Sequence, residues 1–177
     1  MLLLESPKFG CLMLMLSATP SEEIAQFGQQ KIDVKDLGED GYEKEPHVTV
    51  LYGFHDDVTP TEIEAITKDF GPVTIELGAI TRFESEEYDV IKIDIEGGTI
   101  YELNAKLVEA FAGRVTNKFP EYHPHMTLAY VKKGACEELN DDPEFFGREF
   151  SFDIAVYSTA AATTRYLISL DSIQHGV

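Results

Sequence analysis

The chain of 177 residues is 44% hydrophobic, 11% aromatic and 26% charged, long enough to bury a sizeable core and too short for large domains in tandem. Its 14 Lys and Arg stand against 32 Asp and Glu, a formal net charge of -18 that excludes a broad electrostatic grip on long nucleic acid or an anionic membrane. Any phosphate the protein handles must be met by a local site. Two cysteines, Cys11 and Cys136, are too few for a disulfide framework and form no Cys-x-x-Cys pair, which fits a reducing cytosol.

At the N-terminus, Glu5 and Pro7 separate the apolar residues Leu2 to Leu4 from Leu12 to Leu16, and no basic residue precedes them, so the segment does not read as a secretory leader. No later run approaches the ~18 apolar residues of a membrane span. The chain reads as soluble, unprocessed and cytoplasmic.

Gly10 to Leu16 is a continuous apolar run, predicted to be a strand buried on both faces and ended by Ser17-Ala18-Thr19-Pro20. Thr19-Pro20-Ser21-Glu22 has the pattern of a capping box and predicts a helix from Pro20 to about Gln29. The acidic stretch Asp33 to Glu45, with two glycines, reads as a solvated mobile loop or a lid. A strand follows at His47-Val-Thr-Val-Leu-Tyr52. A second capping box, Thr59-Pro60-Thr61-Glu62, opens a helix through Ile63, Ile66 and Phe70 that stops at Gly71-Pro72. Strands are predicted at Val73 to Phe83 and Asp89 to Ile95. A third box, Thr99 to Glu102, opens a helix with Leu103, Leu107 and Phe111 on one face and Gly113 as its stop. The last strands are His125-Met-Thr-Leu-Ala-Tyr130, Phe150 to Tyr157 and Arg165 to Leu170.

These elements contain a repeat. Residues 10–54 and 89–131 each run strand, helix, strand, and each ends in His-x-Thr-x-x-Tyr. The pattern predicts an α+β fold over residues 1–177 as one domain, duplicated and bilobal, with two strand-helix-strand units around a central cleft related by a pseudo-twofold axis. In a chain with 5 histidines, chance supplies fewer than one His-x-Thr triplet, so two at the same place in a repeated unit are the strongest signal here. Side chains at i and i+2 of a strand share a face, so His47 and Thr49 look one way, as do His125 and Thr127. Strict alternation puts Val48, Val50 and Tyr52, and Met126, Leu128 and Tyr130, on the opposite face, and the tyrosines read as core. If the pseudo-dyad joins the strands, two imidazoles and two hydroxyls line one cleft. Such a cleft suits a phosphodiester. One imidazole takes a proton from the attacking oxygen, the other protonates the leaving oxygen, and the hydroxyls donate to non-bridging oxygens, with no metal or cofactor required.

With its motifs His47-Val-Thr49-Val50 and His125-Met-Thr127-Leu128, the sequence resembles the 2H phosphoesterase superfamily. Gly10-Cys-Leu-Met13 followed by Glu45-Pro-His-Val-Thr-Val-Leu-Tyr-Gly53 looks like the phage anti-CBASS cyclic-oligonucleotide phosphodiesterases. The resemblance spans about residues 10–131 and implies metal-independent cleavage of 3′-5′ bonds in cyclic di- and trinucleotide immune signals such as 3′,3′-cyclic GMP-AMP. A neighbouring ribose 2′-OH would be the nucleophile, and His47, Thr49, His125 and Thr127 inherit the catalytic roles. It implies no cofactor, a small cyclic oligonucleotide as the partner, and no long nucleic acid or membrane; for a phage-encoded chain the compartment would be the bacterial cytoplasm. The same superfamily also holds enzymes that open 2′,3′-cyclic phosphates on RNA ends and 2′-5′ RNA ligase-like enzymes, and that reading stands as the alternative. A non-catalytic nucleotide sponge is a further one, against which the two intact histidines argue.

Other residues are less informative. Tyr122 and His123 are candidate substrate-binding residues at the cleft edge, and Tyr122, Phe9 and Tyr42 flank the motif strands where a ring can stack on a base. His123-Pro124-His125 has a metal-ligand spacing, but no carboxylate or cysteine cluster accompanies it. Cys11 reads as a small core residue rather than a nucleophile. His55 and His175 read as solvent-facing.

Overall fold

The computed structural model describes residues 9–119, 121–160 and 164–171. The apolar residues at 2–4, the breakers Glu5 and Pro7, and His175 lie outside the described residues. In chain order the elements are β1 (Gly10–Met15), α1 (Ala18–Lys31), β2 (Leu37–Tyr42), β3 (His47–Phe54), α2 (Pro60–Thr67), β4 (Val73–Glu84), β5 (Tyr88–Gly97), α3 (Ile100–Ala110), β6 (His125–Lys132), β7 (Glu149–Phe152), β8 (Ile154–Ser158) and β9 (Arg165–Ser169). Short 3-10 turns lie at Val34–Asp36 and Glu137–Leu139. No described helix is long and apolar enough to cross a membrane.

The nine strands among the described residues form one curled antiparallel sheet in the order β7-β4-β5-β6-β3-β1-β8-β9, with β2 on the edge of β6 beyond the start of β3. The duplication is visible in the pairing, because β1 lies beside β3 as β5 lies beside β6. The two units meet where Val48 of β3 pairs with Met126 of β6, both fully buried. One face of the sheet is covered by helices in an exchanged fashion. α3, from the second unit, packs on β3 of the first, and α1, from the first, packs on β6 of the second. The apolar stripe of α3 (Ile100, Leu103, Leu107) is buried against this face, each side chain contributing roughly 1.5–3 kcal/mol.

Four expectations need correcting. Of the three capping boxes only Thr59 forms one: its hydroxyl accepts from the Glu62 N–H while the Glu62 carboxylate accepts from the Thr59 N–H. α1 starts at Ala18, so Thr19 lies inside the helix, and Ser17 is the N-cap without a side-chain cap bond. Thr99 is the N-cap of α3, but its hydroxyl accepts from the Thr74 N–H at 2.9 Å while the Thr99 N–H donates to Thr74 Oγ1 at 3.1 Å. A tertiary partner has displaced the local one. The acidic stretch at 33–45 is no loop, since most of it forms the 3-10 turn and β2. β2 supplies partners for backbone groups that β6 would otherwise leave bare. The predicted strand Phe150 to Tyr157 is two strands at opposite parts of the sheet, β7 on β4 and β8 on β1, broken at Asp153.

Candidate active site

The register of the four central strands places the motif residues. On β1, Met15 pairs with His47 and Met13 with Thr49; on β5, Asp94 pairs with His125 and Lys92 with Thr127. In the antiparallel frame of the Val48–Met126 pair, His47 falls level with Thr127 and Thr49 with His125. Two rungs therefore cross the face of the sheet opposite the helices. One carries Thr81, Lys92, Thr127, His47 and Met15, the other Asp94, His125, Thr49 and Met13. The structure brings His47, Thr49, His125 and Thr127 onto one surface.

The repeat extends to a defect. The β1–β3 ladder skips Val50 and the β5–β6 ladder skips Leu128, so each motif strand carries a β-bulge three residues after its histidine. The bulge makes two successive residues face the core, Val50 and Leu51 in one strand and Leu128 and Ala129 in the other. Alternation is reset, which turns the following tyrosines outward: Tyr52 is 43% exposed and Tyr130 half-buried, correcting their assignment to the core. Bulges strand backbone carbonyls, and both are met. Asn104 of α3 donates to the Val50 carbonyl at 2.8 Å, and the Glu43 N–H donates to the Leu128 carbonyl at 2.9 Å.

Both imidazoles are held in the same way. His47 Nδ1 lies 2.8 Å from the carbonyl oxygen of Glu45, and His125 Nδ1 lies 2.9 Å from that of His123. A carbonyl only accepts, so Nδ1 carries the proton in each neutral ring and the lone pair is on Nε2. A proline, Pro46 or Pro124, stands between each histidine and its carbonyl partner. Proline confines the residue before it to extended backbone, which fixes where that carbonyl points. This shared Pro-His-x-Thr pattern is a sequence signal of the positioning contact. The pKa of His125 is lowered from 6.5, first by the protein packed around the ring. Lys92 and His47 push the same way, against the His123 carbonyl and the Asp94 carboxylate. The site can therefore supply a neutral imidazole on the β6 side.

Neighbouring residues take other places. Tyr122 donates its hydroxyl to the Thr49 carbonyl at 2.8 Å, with its ring edge-on to Tyr101 at 5.7 Å, a strut between the segment before β6 and the first motif. Burial pushes its phenol well up. His123 is 79% exposed with Nε2 3.1 Å from Glu121, and its carbonyl holds His125. Cys11 is on the site face rather than in the core, its Sγ 3.9 Å from Thr49 Oγ1. Its thiol, pushed up to about 11 by burial, remains protonated and is a poor nucleophile. His55 is half-buried, its Nε2 2.8 Å from Thr116 Oγ1 and its ring against Phe9, correcting the expectation of a solvent residue. Phe9 also meets Tyr52 edge-on at 6.0 Å, and Tyr42 bonds the Ile32 carbonyl. Beside His125, sequence reading missed Lys92, which donates to Thr81 Oγ1 at 2.7 Å and pairs with Asp94. Among the described residues no three His, Cys, Asp or Glu side chains converge as metal ligands.

Comparisons with known proteins agree with this fold. Solved structures of similar fold include TT0787 of Thermus thermophilus (TM-score 0.68, 13% identity, covering 92% of this chain and 97% of that one). Escherichia coli LigT complexed with 3′-AMP is similar at a TM-score of 0.65 and 14% identity, covering 92% and 98%. Kluyveromyces marxianus Usb1 is similar at 0.60 and 10%, covering 93% and 99%. No curated protein matches significantly in sequence. The sequence pattern of the 2′-5′ RNA ligase superfamily matches residues 17–151, most of the chain and both motif strands. The chain belongs to that superfamily, the phosphodiester-acting 2H phosphoesterases.

Proposed function

We propose that the protein opens 3′-5′ phosphodiester bonds of small cyclic oligonucleotides, such as 3′,3′-cyclic GMP-AMP, by two-histidine acid-base catalysis without a metal. One imidazole Nε2 takes the proton of the neighbouring ribose 2′-OH as its oxygen bonds to phosphorus. The P–O bond to the 5′ oxygen breaks, and the other imidazolium protonates that oxygen. Thr49 and Thr127 donate to the non-bridging oxygens as charge builds on them. A single observation carries this reading: two His-Thr pairs lie on adjoining rungs with each Nδ1 tied to a carbonyl. The small, cyclic substrate is supported by the net charge of -18, which disfavours a polyphosphate backbone, and by the motif resemblance to phage enzymes of immune evasion.

Action on RNA ends has equal support, because the matching family points to it, and the solved neighbours include LigT with 3′-AMP and Usb1 with uridine monophosphate. One assay in excess EDTA separates the readings. The protein is offered 3′,3′-cyclic GMP-AMP and a short RNA ending in a 2′,3′-cyclic phosphate, and the products are resolved by chromatography. Preferred ring opening upholds the proposal. Preferred action on the RNA end replaces it with the second reading, and retention of an intact ring identifies a sponge. His47→Ala and His125→Ala are each expected to abolish turnover in a folded protein; full activity in either overturns the mechanism.

A further inference from the structure

The cleft is symmetric in its histidines and threonines and asymmetric in what flanks them. Beside Thr127 and His125, β5 presents Lys92 and Asp94. Beside Thr49 and His47, β1 presents Met13 and Met15 at the matching places. Lys92 is only 16% exposed, with one N–H on Thr81 Oγ1 at 2.7 Å and another on Asp94. An ammonium has three donors, and among the described residues no side chain or carbonyl accepts the third. Holding a mostly buried cation is costly, and methionine at the mirror position shows that the architecture accepts an uncharged side chain there.

We propose that Lys92 is a phosphate-binding residue whose third N–H donates to a non-bridging oxygen beside Thr127, and that it sets the substrate's polarity in the cleft. His125 then takes the proton from the attacking hydroxyl as the new O–P bond forms, and His47 gives its proton to the leaving oxygen as the old P–O bond breaks. This inference rests on the two-histidine reading. The groups facing His125 agree with it. Lys92 and Asp94 approach from β5, His47 from β3, and His123, with Glu121 on its ring, from the segment before β6; burial, Lys92 and His47 outweigh the His123 carbonyl and Asp94, so the pKa of His125 is lowered and the ring stays neutral as a base must.

The test compares the full chain with Lys92→Met, Lys92→Arg and the double variant Lys92→Met, Asp94→Leu, which leaves no orphaned carboxylate. Binding of a 3′-nucleoside monophosphate and of its parent nucleoside is measured by calorimetry, alongside thermal unfolding and the pH profile of kcat/KM. Lys92→Met is expected to weaken the monophosphate roughly 10- to 100-fold and to leave the nucleoside unchanged, with Lys92→Arg recovering most of the loss. The acidic limb of kcat/KM moves to higher pH in Lys92→Met, because removing the cation lets His125 protonate sooner. It returns toward the wild-type position in the double variant, where the opposing carboxylate is also gone. Monophosphate affinity within about two-fold of wild type in folded variants, or an equal loss for the nucleoside, overturns the role of Lys92. Full turnover by His47→Ala overturns the two-histidine reading instead, and the binding comparison still decides Lys92.

Discussion

Each catalytic candidate in this cleft is held through its backbone surroundings as much as through side chains. The carbonyls that fix Nδ1 of His47 and His125 belong to residues pinned by Pro46 and Pro124. Pro46→Ala or Pro124→Ala is therefore expected to lower kcat by roughly 3- to 10-fold through loosened imidazole orientation, with little change in Tm; unchanged kcat in both variants would remove the prolines from the mechanism. The lowered pKa of His125 makes a second prediction. A base works when neutral, and a lowered pKa keeps it neutral further into acid, so the acidic limb of kcat/KM should have its midpoint below 6.5. A limb above that value contradicts the assignment of His125 as base. At this scale the four motif residues were legible from the sequence, since period-2 alternation holds from His47 to Thr49 and from His125 to Thr127. Tyr52 and Tyr130 were not, because a bulge after each threonine resets the alternation. The adjacent apolar pairs Val50-Leu51 and Leu128-Ala129 were the only trace of it. Lys92 could not be read as a site residue without knowing that β5 lies beside β6.

Among the elements, the bulges matter most. Asn104 of α3 reaches the Val50 carbonyl and so couples a helix to the first motif. Asn104→Ala leaves that carbonyl unsatisfied in the core and should destabilise by about 1–3 kcal/mol, read as a lower midpoint in urea, with activity lost in step as Thr49 shifts. The N-terminus of α2 is fastened differently. Glu62 caps Thr59 and also accepts from Arg114, which bridges to Asp57, and these partners hold the Glu62 carboxyl down at about 2. Its contribution to stability is present above the ordinary carboxylate pKa and lost as pH falls toward 2. Glu62→Gln should therefore flatten the acid side of the stability-pH curve, while leaving the wild-type slope intact would disprove it. The same box pattern at Thr19 and Thr99 shows where local reading ends: Ser17 starts α1 earlier, and Thr74 claims the hydroxyl of Thr99.

For the whole molecule, charge governs encounter. A protein at -18 repels an anionic nucleotide, and salt screens that repulsion over about 10 Å at 0.1 M. Raising ionic strength from about 20 to about 200 mM should leave kcat/KM for a small cyclic dinucleotide level or higher; a steep fall, the signature of many phosphate contacts, would favour RNA. The α+β duplication was legible because both units repeat strand, helix and motif. The order of the sheet was not, since nothing local in the predicted strand Phe150 to Tyr157 says that Asp153 sends its two halves to different neighbours.

The exchanged backing of the motif strands bears on how such a chain is assembled. α1 and β2 of the first unit serve β6, and α3 of the second serves β3, so neither unit supplies the helix that backs its own histidine strand. Cutting the chain in the turn at residues 85–87 should yield two peptides that are each inert and that regain activity on mixing, measured by complementation of turnover. By the same logic, a chain of one unit alone would need a second, interlocked copy to lay a helix behind its histidine strand.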